Sequence, residues 1–201
     1  MISALLFGSR EWPDPSPIAT FLRTVRPDLV VHGACGLDET DAIDPAKMRG
    51  ADGHAHRQAV ALGIPVDPHP AHWRRLGKRA GMVRNGEMAP LANLAAGWSA
   101  GRLGTPVTRG SADMAARCRA RGTPVVVYRE GGIEPDPTPL RTMRRLHEVT
   151  GEAALIPAWH AVNAWKKGEA SPDVAAAAVR CAAESAPRWA PWLDAVAANC
   201  R

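Results

Sequence analysis

Aromatic residues are scarce in this chain of 201 residues: seven Trp, but only two Phe and one Tyr. With so few large rings, Ala must fill much of any core. Cysteine offers no cross-linking pattern. Cys35, Cys118, Cys181 and Cys200 are scattered, with no pair at two-residue spacing and no His at zinc-site distance from a Cys pair. That excludes a zinc ribbon and a disulfide framework, and predicts free thiols in a reducing compartment. No apolar run approaches the roughly 18 residues that suggest a membrane span. The opening "MISALLFGSREW" has neither a basic leader nor a cleavage site, so it reads as a strand rather than a signal peptide. Internal repeats and low-complexity tracts are absent. A soluble, cytoplasmic protein with no membrane partner is the expectation.

The length allows one ordinary domain, or one domain with a small appendage. Formal charge is +5 and the pI is about 9.4, a mild surplus that matters less than where it sits. Short apolar runs at 2–8, 28–33, 63–69, 91–98 and 123–129 alternate with helical stretches at 17–26, 51–62, 78–88 and 111–121. Such alternation predicts an α/β fold, a doubly wound parallel sheet with helices on both faces, over residues 1–129. The stretch 130–139, "EGGIEPDPTP", combines Gly and Pro without periodicity and reads as a linker. Residues 140–201 then give four short helix candidates separated by Gly or Pro, an all-helical extension. Its Trp159, Trp165, Trp189 and Trp192 suit a core or an interface. Helices this short are not stable alone, so they should pack on the sheet domain or on a second subunit.

Four motifs fall where the strands of such a sheet end. Gly8, Ser9 and Arg10 follow the first strand, a position where open α/β sheets bind ligands and where a guanidinium can hold phosphate or carboxylate. The same tripeptide also suits a tight turn with a surface Arg. After the second strand comes "HGACG", whose Gly33, Ala34 and Gly36 give a backbone path with amides free to face an anion. An acidic insertion, 37–48, separates it from "RGAD", where Asp52 stands at or near a helix N-cap. That carboxylate could bind amides or a ribose hydroxyl, or simply cap the helix. His54 and His56 lack metal-site spacing.

The third motif, "WRRLGKRAGMVRNGEM" at 73–88, masses positive charge around three glycines. Lys78, Gly81, Arg84 and Asn85 near a helix start favour phosphate, and Trp73 could wall off a base. The alternative is a solvated basic helix face, although Gly inside a helix is costly and asks for a reason. The fourth is Gly110 with Ser111, a second possible phosphate cradle or an ordinary helix start.

Taken in order, "GSR", "HGACG" with "RGAD", "PAHWRRLGKRAGMVRNGEM" and "RGSADM" resemble the YspA group of the SLOG superfamily. This is the Rossmann-like clan that includes the LONELY GUY phosphoribohydrolases and the DNA-processing protein DprA. The resemblance covers about residues 1–129 and rests mainly on the third motif. It implies a pocket for a nucleotide or nucleotide-derived ligand (a nucleoside monophosphate, ADP-ribose or an NAD-like compound) formed by Gly8, Ser9, Arg10, Gly33, Asp52, Arg84, Asn85, Gly110 and Ser111. Many members of this group are thought to sense such ligands in conflict systems of phages and bacteria, and clan members commonly pair, so a homodimer is expected. No prosthetic group and no metal are expected.

Where the LONELY GUY enzymes carry Thr and, three residues on, a catalytic Glu, this chain has Ser111 and Met114. Met114 cannot stabilise a ribosyl cation or activate water. An N-glycoside hydrolase built on this chain would therefore rely on Asp52 or Asp113 as acid or base. Binding or sensing without turnover is the first reading, hydrolysis the second, and single-stranded DNA binding the third, since basic residues with Trp can also hold a nucleic-acid strand.

Overall fold

Parallel strands buried on both faces must be largely apolar, and four of the short apolar runs of this sequence become such strands, while the run at 63–69 gives a half-buried edge strand. In the computed structural model, which describes residues 1–200, β1 (Ser3–Gly8), β2 (Leu29–His32), β3 (Val66–Pro68), β4 (Leu94–Arg102) and β5 (Val125–Glu130) are parallel. A sixth strand, β6 (Gly132–Ile133), runs antiparallel to β5. Strand order is β3-β2-β1-β4-β5-β6. The chain winds outward from β1 in its first part and outward from β4 in its second, giving a Rossmann-like doubly wound sheet.

Helices α1 (Ser16–Val25) and α2 (Gly50–Ala61) cover one face, while α4 (Ala80–Met88) and α5 (Arg109–Ala120) cover the other. The side-chain period of two along β1 sorts its residues between them: Ala4 and Leu6 pack with α1 and α2, Leu5 and Phe7 with α4 and α5. A single turn, α3 (Trp73–Leu76), precedes α4. The two are separated at Gly77, whose φ of +52° and ψ of −135° interrupt the helical path. A residue with a Cβ adopts that conformation only under strain.

The C-terminal residues fold as α6 (Pro139–Thr150), α7 (Leu155–Lys166), α8 (Pro172–Ser185) and α9 (Ala190–Ala198). Pro begins α6 and α8, where its missing N–H costs nothing. The four helices share one apolar core with the α1/α2 face of the sheet. The scarce aromatics are concentrated here: Trp98 stacks on Tyr128 with centroids 5.1 Å apart and meets the edge of Phe21 at 5.6 Å. Trp189 and Trp192 are buried in the same core, with Trp159 and Trp165 packed against it. Ala supplies much of the remaining volume, in α2 through Ala51, Ala55 and Ala59 and in α8 through Ala175, Ala176, Ala182 and Ala183.

Residues 130–139, read from sequence as a linker, carry β6 instead. Arg129, whose side chain is fully buried, donates to the carbonyls of Ala100, Gly101 and Arg102, to Thr105 Oγ1 and to Glu134. This lone cation ties the end of β4 to the segment after β5. The insertion 37–48 is also fixed. Leu37 and Met48 bury themselves with Ala34, and Asp38 bridges in parallel with Ala71, which follows β3. No described helix is long and apolar enough to cross a membrane.

Candidate functional site

Because β1 connects toward β2 and β4 connects toward β5, the loops leaving these adjacent strands diverge, and a crevice opens beyond their carboxyl ends. It is a cleft of about 1030 Å³, at the upper end of the range for small-molecule sites. Gly8, Ser9 and Arg10 enter it from β1, Gly33 and Asp52 from the β2 side, Trp73, Lys78, Gly81, Arg84 and Asn85 from α3 and α4, and Gly110 and Ser111 from α5. Arg10, Lys78, Arg79, Arg84, Arg109 and Arg117 line it against Glu11 and Asp52, so its field favours an anion.

The β1 end and α2 are locked together. Gly50, at φ +53°, begins α2 so close to β1 that a Cβ there would stand 2.2 Å from the Ser9 carbonyl. That carbonyl accepts from the Ala51 amide at 3.1 Å. The Ser9 hydroxyl accepts from the Ala100 amide at 3.1 Å, joining the mouths of β1 and β4. Ser9 is buried, so its hydroxyl serves this junction first.

Arg84 is held rather than extended. Its Nη1 donates to the Gly33 carbonyl and its Nη2 to Asn85 Oδ1 at 3.3 Å, and Nη1 lies 3.9 Å from Asp52 Oδ2. Asn85 in turn donates to the Gly110 carbonyl at 3.2 Å and to Asp113 Oδ2 at 3.0 Å. A chain of hydrogen bonds therefore runs from the β2 loop through α4 to the start of α5.

Asp52 is the third residue of α2. The expected cap geometry is replaced: Arg49 is the N-cap, without a side-chain bond, and Asp52 accepts from the Cys35 amide at 3.2 Å. Burial raises the Asp52 carboxyl above its ordinary value, against the opposing pull of Arg84 and of the Cys35 amide. Burial likewise raises the Cys35 thiol, with the Asp52 carboxylate adding to it, so this cleft-lining thiol is not an activated nucleophile.

The anion-facing amides expected of "HGACG" are turned to the protein. Ala34, at φ +46°, donates its N–H to His32 Nδ1 at 3.1 Å, and Cys35 donates to Asp52. Ala34 and Gly36 stand outside the cleft lining. His32 and His56 are both buried, with His32 Nε2 3.0 Å from His56 Nδ1. Since His32 Nδ1 accepts from Ala34, its Nε2 carries the proton given to His56. Burial, then His56, Arg84 and His69, lower the His32 pKa to about 3.

Helix α5 begins at Arg109 with Thr108 as its N-cap, so Gly110 and Ser111 belong to its first turn rather than preceding it. The first amides of a helix lack partners within it, and these residues line the cleft. Ser111 Oγ accepts from Thr108 Oγ1 at 2.9 Å. Asp113 stands outside the cleft lining, bound by Asn85 and by Arg117 Nε at 2.9 Å. Met114 is buried in the cleft wall with Met88.

Sequence reasoning missed Arg109, Arg117 and Cys35 as lining residues. For Arg117 a signal existed: a Cβ on Gly86 would come within 3.1 Å of Arg117 Nη1, so a glycine within a charged helix marked where a second helix brings its guanidinium close. Among the described residues no group of three or more His, Cys, Asp or Glu is placed to hold a metal ion. No family model matches the chain, and no curated protein or solved structure matches it.

Proposed function

We propose that the cleft binds a nucleotide or nucleotide-derived anion, such as a nucleoside monophosphate, ADP-ribose or an NAD-like compound. The observation that carries this reading is the meeting of six cationic side chains with the start of α5 at the β1/β4 crevice, beside an apolar wall of Trp73, Met82, Met88 and Met114. Phosphate suits the amides of Arg109 to Ser111 together with the nearby cations. The base would lie toward Trp73. The sequence resemblance to the SLOG clan adds independent support for this ligand class. If the protein acts as a sensor in a conflict system, the helical tail is the element available to carry occupancy to a second copy or another partner.

A thermal-shift panel with AMP, ADP-ribose, NAD, cyclic nucleotides and a short DNA strand tests the reading. A ligand at 100 times its Kd, bound only to the folded state, stabilises by about 2.7 kcal/mol. A rise with one mononucleotide or ADP-ribose-type compound is the expected result. A response to DNA alone, falling steeply with salt, would replace the small anion by a strand, and no response to any member would reject the reading.

One observation favours turnover as a second reading. Asp52 lines the cleft, and burial raises its carboxyl, the condition in which a carboxylic acid can hand a proton to a departing base. On this reading Asp52 is the acid of an N-glycoside hydrolase. Release of free base by the wild-type protein, absent from Asp52→Asn, is the result it requires.

A further inference from the structure

The insertion 37–48 lines no part of the cleft, yet it is bonded to the turn that carries Trp73. Helix α3 has His72 as its N-cap residue, and His72 makes no side-chain cap bond. Asp38 performs that task from the insertion: its Oδ2 accepts from the Arg74 amide at 3.0 Å, while its Oδ1 accepts from the amide and hydroxyl of Thr40 at 3.3 and 3.1 Å. The Arg74 guanidinium reaches back to Thr40 Oγ1 and to Asp41 Oδ1, and His72 meets Glu39. On the other side, the six-membered ring of Trp73 comes within 3.4 Å of where a Cβ on Gly81 would stand. Trp73 is thus fixed between a cap supplied from the insertion and a glycine that leaves it room.

We infer that the insertion is the specificity element of the cleft and Asp38 its positioning residue, holding Trp73 as the wall for a planar base. A flexible α3 turn would leave the phosphate-binding side intact and lose the ordered aromatic surface. The inference rests on the proposed nucleotide site and adds to it which part of the ligand the insertion selects.

The test compares AMP with ribose 5-phosphate, which carries the same phosphate and sugar without the base, by calorimetry on the full-length protein. The wild type should prefer AMP by at least about tenfold, the effect of one base–aromatic stack. Asp38→Ala should reduce that preference at least about fivefold through AMP alone, leaving ribose 5-phosphate within about twofold. Asp38→Asn keeps an acceptor for the Arg74 amide and should restore the preference.

An unchanged preference in Asp38→Ala, equal loss of both ligands, or a loss as complete in Asp38→Asn as in Asp38→Ala overturns the positioning role. Should Asp38→Ala fail to melt cooperatively, Asp38→Leu decides, since it fills the volume of the buried Asp38 side chain without an acceptor for the Arg74 amide: a reduced preference supports the role and an unchanged one overturns it. A wild type that binds both compounds equally overturns the base wall while the phosphate site stands. A wild type that binds neither overturns the nucleotide reading as well.

Discussion

Arg84 folds its guanidinium onto Gly33, so that a Cβ added to that glycine would sit 2.1 Å from Arg84 Nη1. The absence of a side chain at 33 is therefore what admits the cation to the Gly33 carbonyl and to the neighbourhood of Asp52. Arg84 spends donors on protein acceptors, which assigns it a role in building the cleft floor before any role in holding phosphate.

Arg84→Ala should accordingly cost about 1.5–3 kcal/mol of stability, the range for hydrogen bonds to charged groups. Gly33→Ala should displace the same guanidinium. The two substitutions then share one effect, and the second should cost much less in the presence of the first. A double-mutant cycle by urea denaturation measures this coupling, and strict additivity would show that the two residues act independently.

Much of this arrangement is visible in the sequence for a definite reason. Four of the five parallel strands are mostly buried and so appear as apolar runs, β3 being a half-buried edge strand, and ligand-facing positions follow their carboxyl ends. Gly8, Ser9 and Arg10, like Arg84 and Asn85, could be assigned to one edge on that basis. β6 could not. Its two residues lie in a Gly- and Pro-rich stretch and become a strand only because Arg129 and the edge of β5 hold them. The amides of Ala34 and Cys35 were also illegible as spent groups, because their acceptors, His32 Nδ1 and Asp52, are set by tertiary packing. Nor could the role of the acidic insertion be read, because its bond to α3 spans 36 residues of sequence.

Asp52 makes a prediction about pH with an uncommon sign. Its folded-state pKa is raised above 3.8, with burial the largest cause, so the native state holds the proton more tightly than the unfolded chain. Its contribution to stability is present at low pH and is lost as pH rises through the window that begins near 3.8. Asp52→Asn keeps an acceptor for the Cys35 amide and removes the buried charge. It should be more stable than the wild type at pH 7, with the difference vanishing below that window. Denaturation at a series of pH values reads it directly, and a variant less stable than the wild type at pH 7 would contradict it.

His32 acts in the opposite direction. Its pKa falls from 6.5 to about 3, so the unfolded chain takes up a proton that the native state refuses. Stability from this residue is full above pH 6.5 and is lost as pH falls toward 3, with a slope of at most about 1.4 kcal/mol per pH unit. His32→Asn places a carbonyl oxygen where Nδ1 accepts from Ala34 and cannot take up the proton. Its acid limb should be flatter than that of the wild type by up to that slope, after an offset from the lost bond to His56. An equally steep limb would assign the acid sensitivity to other groups.

Arg129 supports the largest expected loss. Its side chain is fully buried and bonds to three carbonyls, one hydroxyl and the Glu134 carboxylate, the last at 2.5 Å. Removing the buried cation leaves three carbonyls and the Glu134 carboxylate, 22 % exposed, without their donor, at a cost of about 3–4 kcal/mol, the lower part of the range for a buried pair. Arg129→Ala should lower stability by that amount. Because the bonds span the end of β4 and the segment that forms β6, the amides of Leu103 and Glu134, which donate to Glu130 and Val127, should lose their protection from hydrogen exchange first. Arg129→Met preserves most of the volume without the donors, so it separates packing from bonding. If Met restores the stability, the buried cation matters for its bulk; if Met behaves as Ala does, the hydrogen bonds hold this edge of the sheet together.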